Sequence, residues 1–163
     1  MKVILAGYAE SKKILPAVSY LLNKNLVAPF REVGLGDYFS VRFLNYGDFT
    51  GKLFTGEYVK LSDAQESLAA WADDIRGYLE SLKDDLVCFG LDDYLITKTI
   101  DVDRCRNLLS RVTESTACAR LATSQFYRSR EIDPLDYPYF RLNHTAEYSV
   151  TTQYSVWRRI CLI

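Results

Sequence analysis

The chain is poor in the residues from which metal centres and nucleophilic centres are built. It has one histidine, His144, and four cysteines, Cys88, Cys105, Cys118 and Cys161, that share no short spacing. That count argues against zinc, because there is one histidine and there are no paired cysteines to ligate it. A Ser-His-Asp or Cys-His centre has no second feature to support it. Neither a G-x-G-x-x-G fingerprint nor a P-loop is present, so the sequence gives no basis for a dinucleotide site or a kinase-type triphosphate site. No apolar run reaches the roughly 18 residues that a membrane span requires, and the start Met1-Lys2-Val3-Ile4-Leu5-Ala6-Gly7 is too short an apolar run for a signal peptide. Excess charge is lacking too. The 20 basic and 21 acidic residues nearly cancel, which argues against a nucleic-acid partner gripped through bulk charge. Lysine disappears after Lys98, and nine arginines follow it. Dispersed cysteines without a disulfide framework fit reduced thiols and a cytoplasmic setting.

What remains is a globular composition, 48% hydrophobic and 25% charged over 163 residues, the size of one domain. Val3–Ala6 and Leu86–Leu91 are short continuous apolar runs, the signature of strands buried on both faces. Between them, Ile14, Leu15, Val18, Leu21 and Leu22 recur at helical spacing, with Pro16 near the start where a missing N–H does least harm. Tyr38–Tyr46 predicts a second strand, and the glycines at 47, 51 and 56 predict loop and hairpin as far as Leu61. Ser62-Asp63-Ala64-Gln65 fits a capping box that opens a helix, with Leu68, Trp71, Ile75, Leu79 and Leu82 as its apolar stripe. A further helix is expected over Val102–Val112, capped by Asp101, with Leu108, Leu109 and Val112 inward. Cys118–Ala122 reads as strand, Asp133–Phe140 as loop, and Thr151–Ile160 as helical around Trp157. This alternation predicts a single α/β domain: three layers, a mostly parallel, mixed sheet with helices on both faces.

In such sheets ligands bind beyond the carboxyl ends of the strands. Asp92 and Asp93 stand there, whereas Asp73-Asp74 lies mid-helix and Asp84-Asp85 precedes its strand. Two adjacent carboxylates repel unless a cation or strong donors lie close. A hard divalent ion, Mg²⁺ or Mn²⁺, bridging to a diphosphate would relieve the repulsion. The alternative is that the pair simply makes the turn and cap between strand and helix.

The segment Phe89-Gly90-Leu91-Asp92-Asp93-Tyr94-Leu95-Ile96, followed by Ile100-Asp101-Val102, resembles the acidic strand end of nucleotide-sugar-dependent glycosyltransferases of the GT-A type. Tyr148-Ser149-Val150-Thr151-Thr152-Gln153-Tyr154-Ser155-Val156-Trp157-Arg158-Arg159 is similar to a later segment of one such group, where a strand leads into a helix carrying a tryptophan. The likeness is loose over most of the chain and specific over about thirty residues. It departs from the usual Asp-x-Asp in having Tyr94 where the second acid would stand.

The resemblance implies a Rossmann-like, GT-A-like fold and the transfer of a sugar from a nucleotide sugar to a glycan or other hydroxyl acceptor. It implies donor binding by Asp92, Asp93, Tyr94, Gly7 and Tyr8, with Tyr8 near the base. It also implies Mn²⁺ or Mg²⁺ on Asp93 and Asp92, and an acceptor-side or structural role for Gln153 and Trp157. The family's chains continue beyond the tryptophan, so an incomplete C-terminal side is expected. A non-catalytic nucleotide-, carbohydrate- or protein-binding module on the same scaffold is the alternative.

Overall fold

The computed structural model describes residues 1–64, 67–112, 118–120, 132–134, 140–142 and 154–163. Its main feature is a mixed six-stranded sheet. The strands are β1 Lys2–Ala6, β2 Ser40–Asn45, β3 Glu57–Lys60, β4 Leu86–Leu91, β5 Cys118–Arg120 and β8 Ser155–Arg158. They lie side by side in the order β3-β2-β1-β4-β8-β5. β1 pairs in parallel with both β2 and β4, β3 is parallel to β2, and β8 runs antiparallel to β4 and β5. A separate antiparallel ribbon joins β6 Ile132–Pro134 to β7 Phe140–Leu142.

The apolar runs lie where their composition requires. Val3, Ile4, Leu5 and Ala6 are fully buried, and their side chains alternate between two cores, one on each face of the sheet. On one face Val3 and Leu5 join Val41, Phe43 and Cys88 under helices α1 Leu15–Leu22, α2 Ala28–Glu32 and α4 Val102–Leu109. On the other, Ile4, Ala6, Leu44, Val87 and Phe89 pack with Ile75 and Leu79 of helix α3 Leu68–Ser81. Burial of each such side chain stabilises the fold by roughly 1.5–3 kcal/mol. Helices on both faces of an α/β sheet therefore follow from strands apolar on both faces. Among the described residues no helix is long and apolar enough to cross a membrane, and Cys88, Cys105 and Cys161 are free thiols.

Several local expectations are corrected. The segment before Leu61 forms no hairpin, because β3 is a parallel edge strand: Arg42 aligns with Glu57 and Asn45 with Lys60. Helix α3 is capped by Ser67, whose hydroxyl accepts from the Ala70 N–H at 3.0 Å. Ser62 instead donates to the Ala64 carbonyl in a turn of its own. Helix α4 stops at Leu109, and Cys105 and Leu109 are its buried residues; its cap is Asp101, as expected, accepting from the Arg104 N–H at 3.0 Å. Residues 133, 134 and 140 of the expected loop are paired in the ribbon, and the expected helix around Trp157 is strand β8. Trp157 aligns with Val87 on one side and Cys118 on the other, so tertiary pairing decides a four-residue segment too short to set its own period.

Candidate functional site

The strand order places β2 on one side of β1 and β4 on the other, so the carboxyl ends of these three parallel strands lie side by side. In open α/β sheets such carboxyl ends are where ligands bind. The ladder continues one step past each strand, with Gly7 N–H donating to the Leu44 carbonyl at 3.0 Å and Asp92 N–H to the Ala6 carbonyl at 3.2 Å. Gly7, Asn45 and Asp92 are thus held at the same level.

The side chains at that level form a compact polar cluster. Ser11 lies in the 3₁₀ turn Ala9–Ile14 that follows β1. Its Oγ is 2.5 Å from Asp92 Oδ2 and 2.6 Å from the Tyr8 carbonyl oxygen. Asn45 Nδ2 donates to Ser11 Oγ at 3.0 Å and approaches Asp92 Oδ2 at 3.5 Å, while Asn45 Oδ1 accepts from the Tyr46 N–H at 2.7 Å. A side chain at position 7 would overlap Asp92 Oδ2 and Ser11 Oγ, so glycine is demanded there by contact. Asp92 is 3% exposed. Burial pushes its carboxyl up to about 6, with Ser11 opposing the shift and the neighbouring charge of Asp93 adding to it.

Around the cluster stand groups that face solvent. Tyr8, 41% exposed, stacks on Trp71 with ring centroids 5.3 Å apart, and Trp71 Nε1 donates to the Gly7 carbonyl at 3.3 Å. Asp93 and Tyr94 are exposed on the turn closed by Tyr94 N–H and the Leu91 carbonyl. Lys12, half-buried, reaches the Asp48 carbonyl at 3.4 Å and would meet any Cβ added at Gly47. Asp74, on the helix face expected to be merely solvated, accepts from the buried Tyr46 hydroxyl at 2.8 Å.

The expected donor-side residues Gly7, Tyr8, Asp92, Asp93 and Tyr94 therefore share one end of the sheet. They are not equivalent. Asp92 is sunk and occupied by hydrogen bonds, whereas Asp93 and Tyr94 are open. Of the two carboxylates only that of Asp93 is open to solvent, since Asp92 is buried against Ser11 and Asn45. No three His, Cys, Asp or Glu side chains converge among the described residues.

Trp157 is in the core beside Ile75 and Leu79, aligned with the amino-terminal half of β4, and does not reach this end. Gln153 and His144 lie outside the described residues. Sequence reasoning missed Ser11, Asn45 and Trp71 as partners of the site. The one local signal was a polar residue, Asn45, closing an otherwise apolar strand end.

No protein-family model matches the chain, and no curated protein matches it.

Proposed function

We propose that the carboxyl ends of β1 and β4 form a crevice that binds a nucleotide sugar, and that the domain transfers the sugar to a hydroxyl acceptor in the manner of GT-A-type glycosyltransferases. The observation that carries this reading is the cluster of Gly7, Ser11, Asn45 and Asp92 at the carboxyl ends of β1, β2 and β4, with exposed Asp93 and Tyr94 and the Tyr8–Trp71 stack around it. A base would lie on the outer face of Tyr8, where ring stacking is available at little entropic cost. Asp92 positions the loop after β1, and Asp93 faces the ligand.

Mg²⁺ or Mn²⁺, when bound, would neutralise the diphosphate as it leaves. Asp93 would hold it. Lys12 supplies a second positive charge to the same end of the sheet. Transfer also needs a base to deprotonate the acceptor hydroxyl, and no described residue is assigned that role.

A binding module without transfer activity is the second reading. It is favoured by the exposed Tyr20–Phe54 edge-to-face pair on α1 and the loop before β3, an aromatic surface that the crevice does not use.

A thermal-shift panel of nucleoside diphosphates and nucleotide sugars, with and without Mn²⁺, separates the two. A ligand at a hundred times its dissociation constant stabilises the folded state by about 2.7 kcal/mol, a readily measured rise in Tm. No shift with any nucleotide at millimolar concentration leaves the binding module as the better account.

A further inference from the structure

The chain from β4 to α4 is fastened from beneath by one residue. Asn25 is buried, 3% exposed, in the π turn Asn23–Val27 that interrupts the helical stretch between α1 and α2. Its Nδ2 donates to the Ile96 carbonyl at 2.5 Å, its Oδ1 accepts from Thr99 Oγ1 at 3.5 Å, and its backbone carbonyl accepts from the Ile100 N–H at 2.9 Å. Three bonds from one residue fix positions 96, 99 and 100. Asp101 then caps α4, and Ile96 and Ile100 pack on the core under α1. Between the end of β4 and Ile96, Asp93, Tyr94 and Leu95 are exposed, and Thr97, Lys98 and Thr99 are exposed further along the same connection.

The sequence explains why that carbonyl is available. In an α-helix the Asn25 C=O would accept from the N–H four residues on, and residue 29 is Pro29, which has none. The proline ring also crowds the carbonyl four residues before it, which favours the widened turn observed, where Ala28 N–H bonds to Asn23 O. A proline within a helical run thus frees a buried carbonyl, and the chain after β4 takes it.

We propose that Asn25 and Pro29 form the positioning device for the ligand-facing strip Asp93–Leu95. Neither residue touches the ligand. They set where Asp93 stands relative to the cluster around Asp92, and this role in ligand binding rests on the crevice reading above.

The test uses the full chain and two variants, Asn25→Leu and Pro29→Ala. The first removes both side-chain bonds and keeps the branching and the number of side-chain heavy atoms. The second restores a competing N–H for the Asn25 carbonyl and leaves the asparagine side chain intact. Hydrogen exchange, read residue by residue, is the primary measurement and needs no ligand. In both variants the Ile100 amide should exchange at least about tenfold faster, the loss expected for one buried hydrogen bond, while the amides of Val3–Ala6 keep their protection. Should Asn25→Leu fail to fold, Pro29→Ala decides alone.

Titration of uridine diphosphate with Mn²⁺ is the second measurement, and both variants should bind at least about tenfold more weakly than wild type. A wild type that binds no nucleotide would overturn the crevice reading and with it the ligand role, and the exchange data would still decide whether Asn25 and Pro29 position the strip. Unchanged protection at Ile100 in Pro29→Ala, or protection lost equally across β1, would overturn the positioning device itself.

Discussion

Ser11 and Asp92 meet at 2.5 Å between the turn after β1 and the end of β4, and the contact raises a question of proton count. The Ser11 hydroxyl has one proton and two acceptors in reach, Asp92 Oδ2 and the Tyr8 carbonyl at 2.6 Å, while Asn45 supplies a donor of its own. All three contacts are satisfied when Asp92 is protonated. The carboxyl then donates to Ser11, and Ser11 donates to Tyr8. Burial favours the same neutral form.

A pH dependence of stability follows. The Asp92 carboxyl is raised from an ordinary 3.8 to about 6 in the folded state, so its contribution is complete below about pH 4 and is lost as pH rises through about 6. The ceiling is about 3 kcal/mol for a shift of that size. In Asp92→Asn the amide can donate to Ser11 at every pH. Denaturant titrations across this window should show wild type losing stability relative to the variant as pH rises. Parallel curves for the two proteins would show that Asp92 does not titrate in this way.

Two glycines should respond oppositely to the same change. A Cβ at Gly7 meets Asp92 and Ser11, and Gly7→Ala should cost about 1–3 kcal/mol through that overlap. Gly77 lies mid-helix in α3, where an added Cβ would have nothing within 4 Å, and Gly77→Ala should gain roughly 0.5–1 kcal/mol. Urea denaturation reads both. A Gly7→Ala protein as stable as wild type would mean that the cluster yields freely.

Phe43 of β2 is fully buried in the core under α1. Truncation to alanine should cost about 3–5 kcal/mol, which lowers Tm by about 2–4 °C per kcal/mol in a chain of this size. A thermal melt checks it.

The sequence carried β1, β4 and the Asp101 cap plainly, because a strand buried on both faces must be apolar throughout and a cap is a local hydrogen bond. β3 and β8 were not legible. Glu57-Tyr58-Val59-Lys60 is a short edge strand with polar ends, and Ser155–Arg158 owes its form to partners on both sides. The capping box at Ser62 satisfied the right residue types five positions early, since Ser67 offers the same hydroxyl. Of the site, Asp92 and Asp93 could be found from their place after an apolar run. Their unequal burial could not, because it depends on Ser11 and Asn45, which lie 81 and 47 residues away in sequence.

The central claim is that this end of the sheet binds a nucleotide through Asp93. Titration calorimetry of a nucleoside diphosphate with Mn²⁺ into wild type, Asp93→Asn and the control Asp84→Asn tests it most directly. Wild type and Asp84→Asn should bind alike. Asp93→Asn should bind at least about tenfold more weakly, because affinity for a hard cation depends on ligand charge, with stability within about 0.5 kcal/mol of wild type, as for an exposed side chain. Equal binding by wild type and Asp93→Asn, or no binding by wild type, would contradict the account.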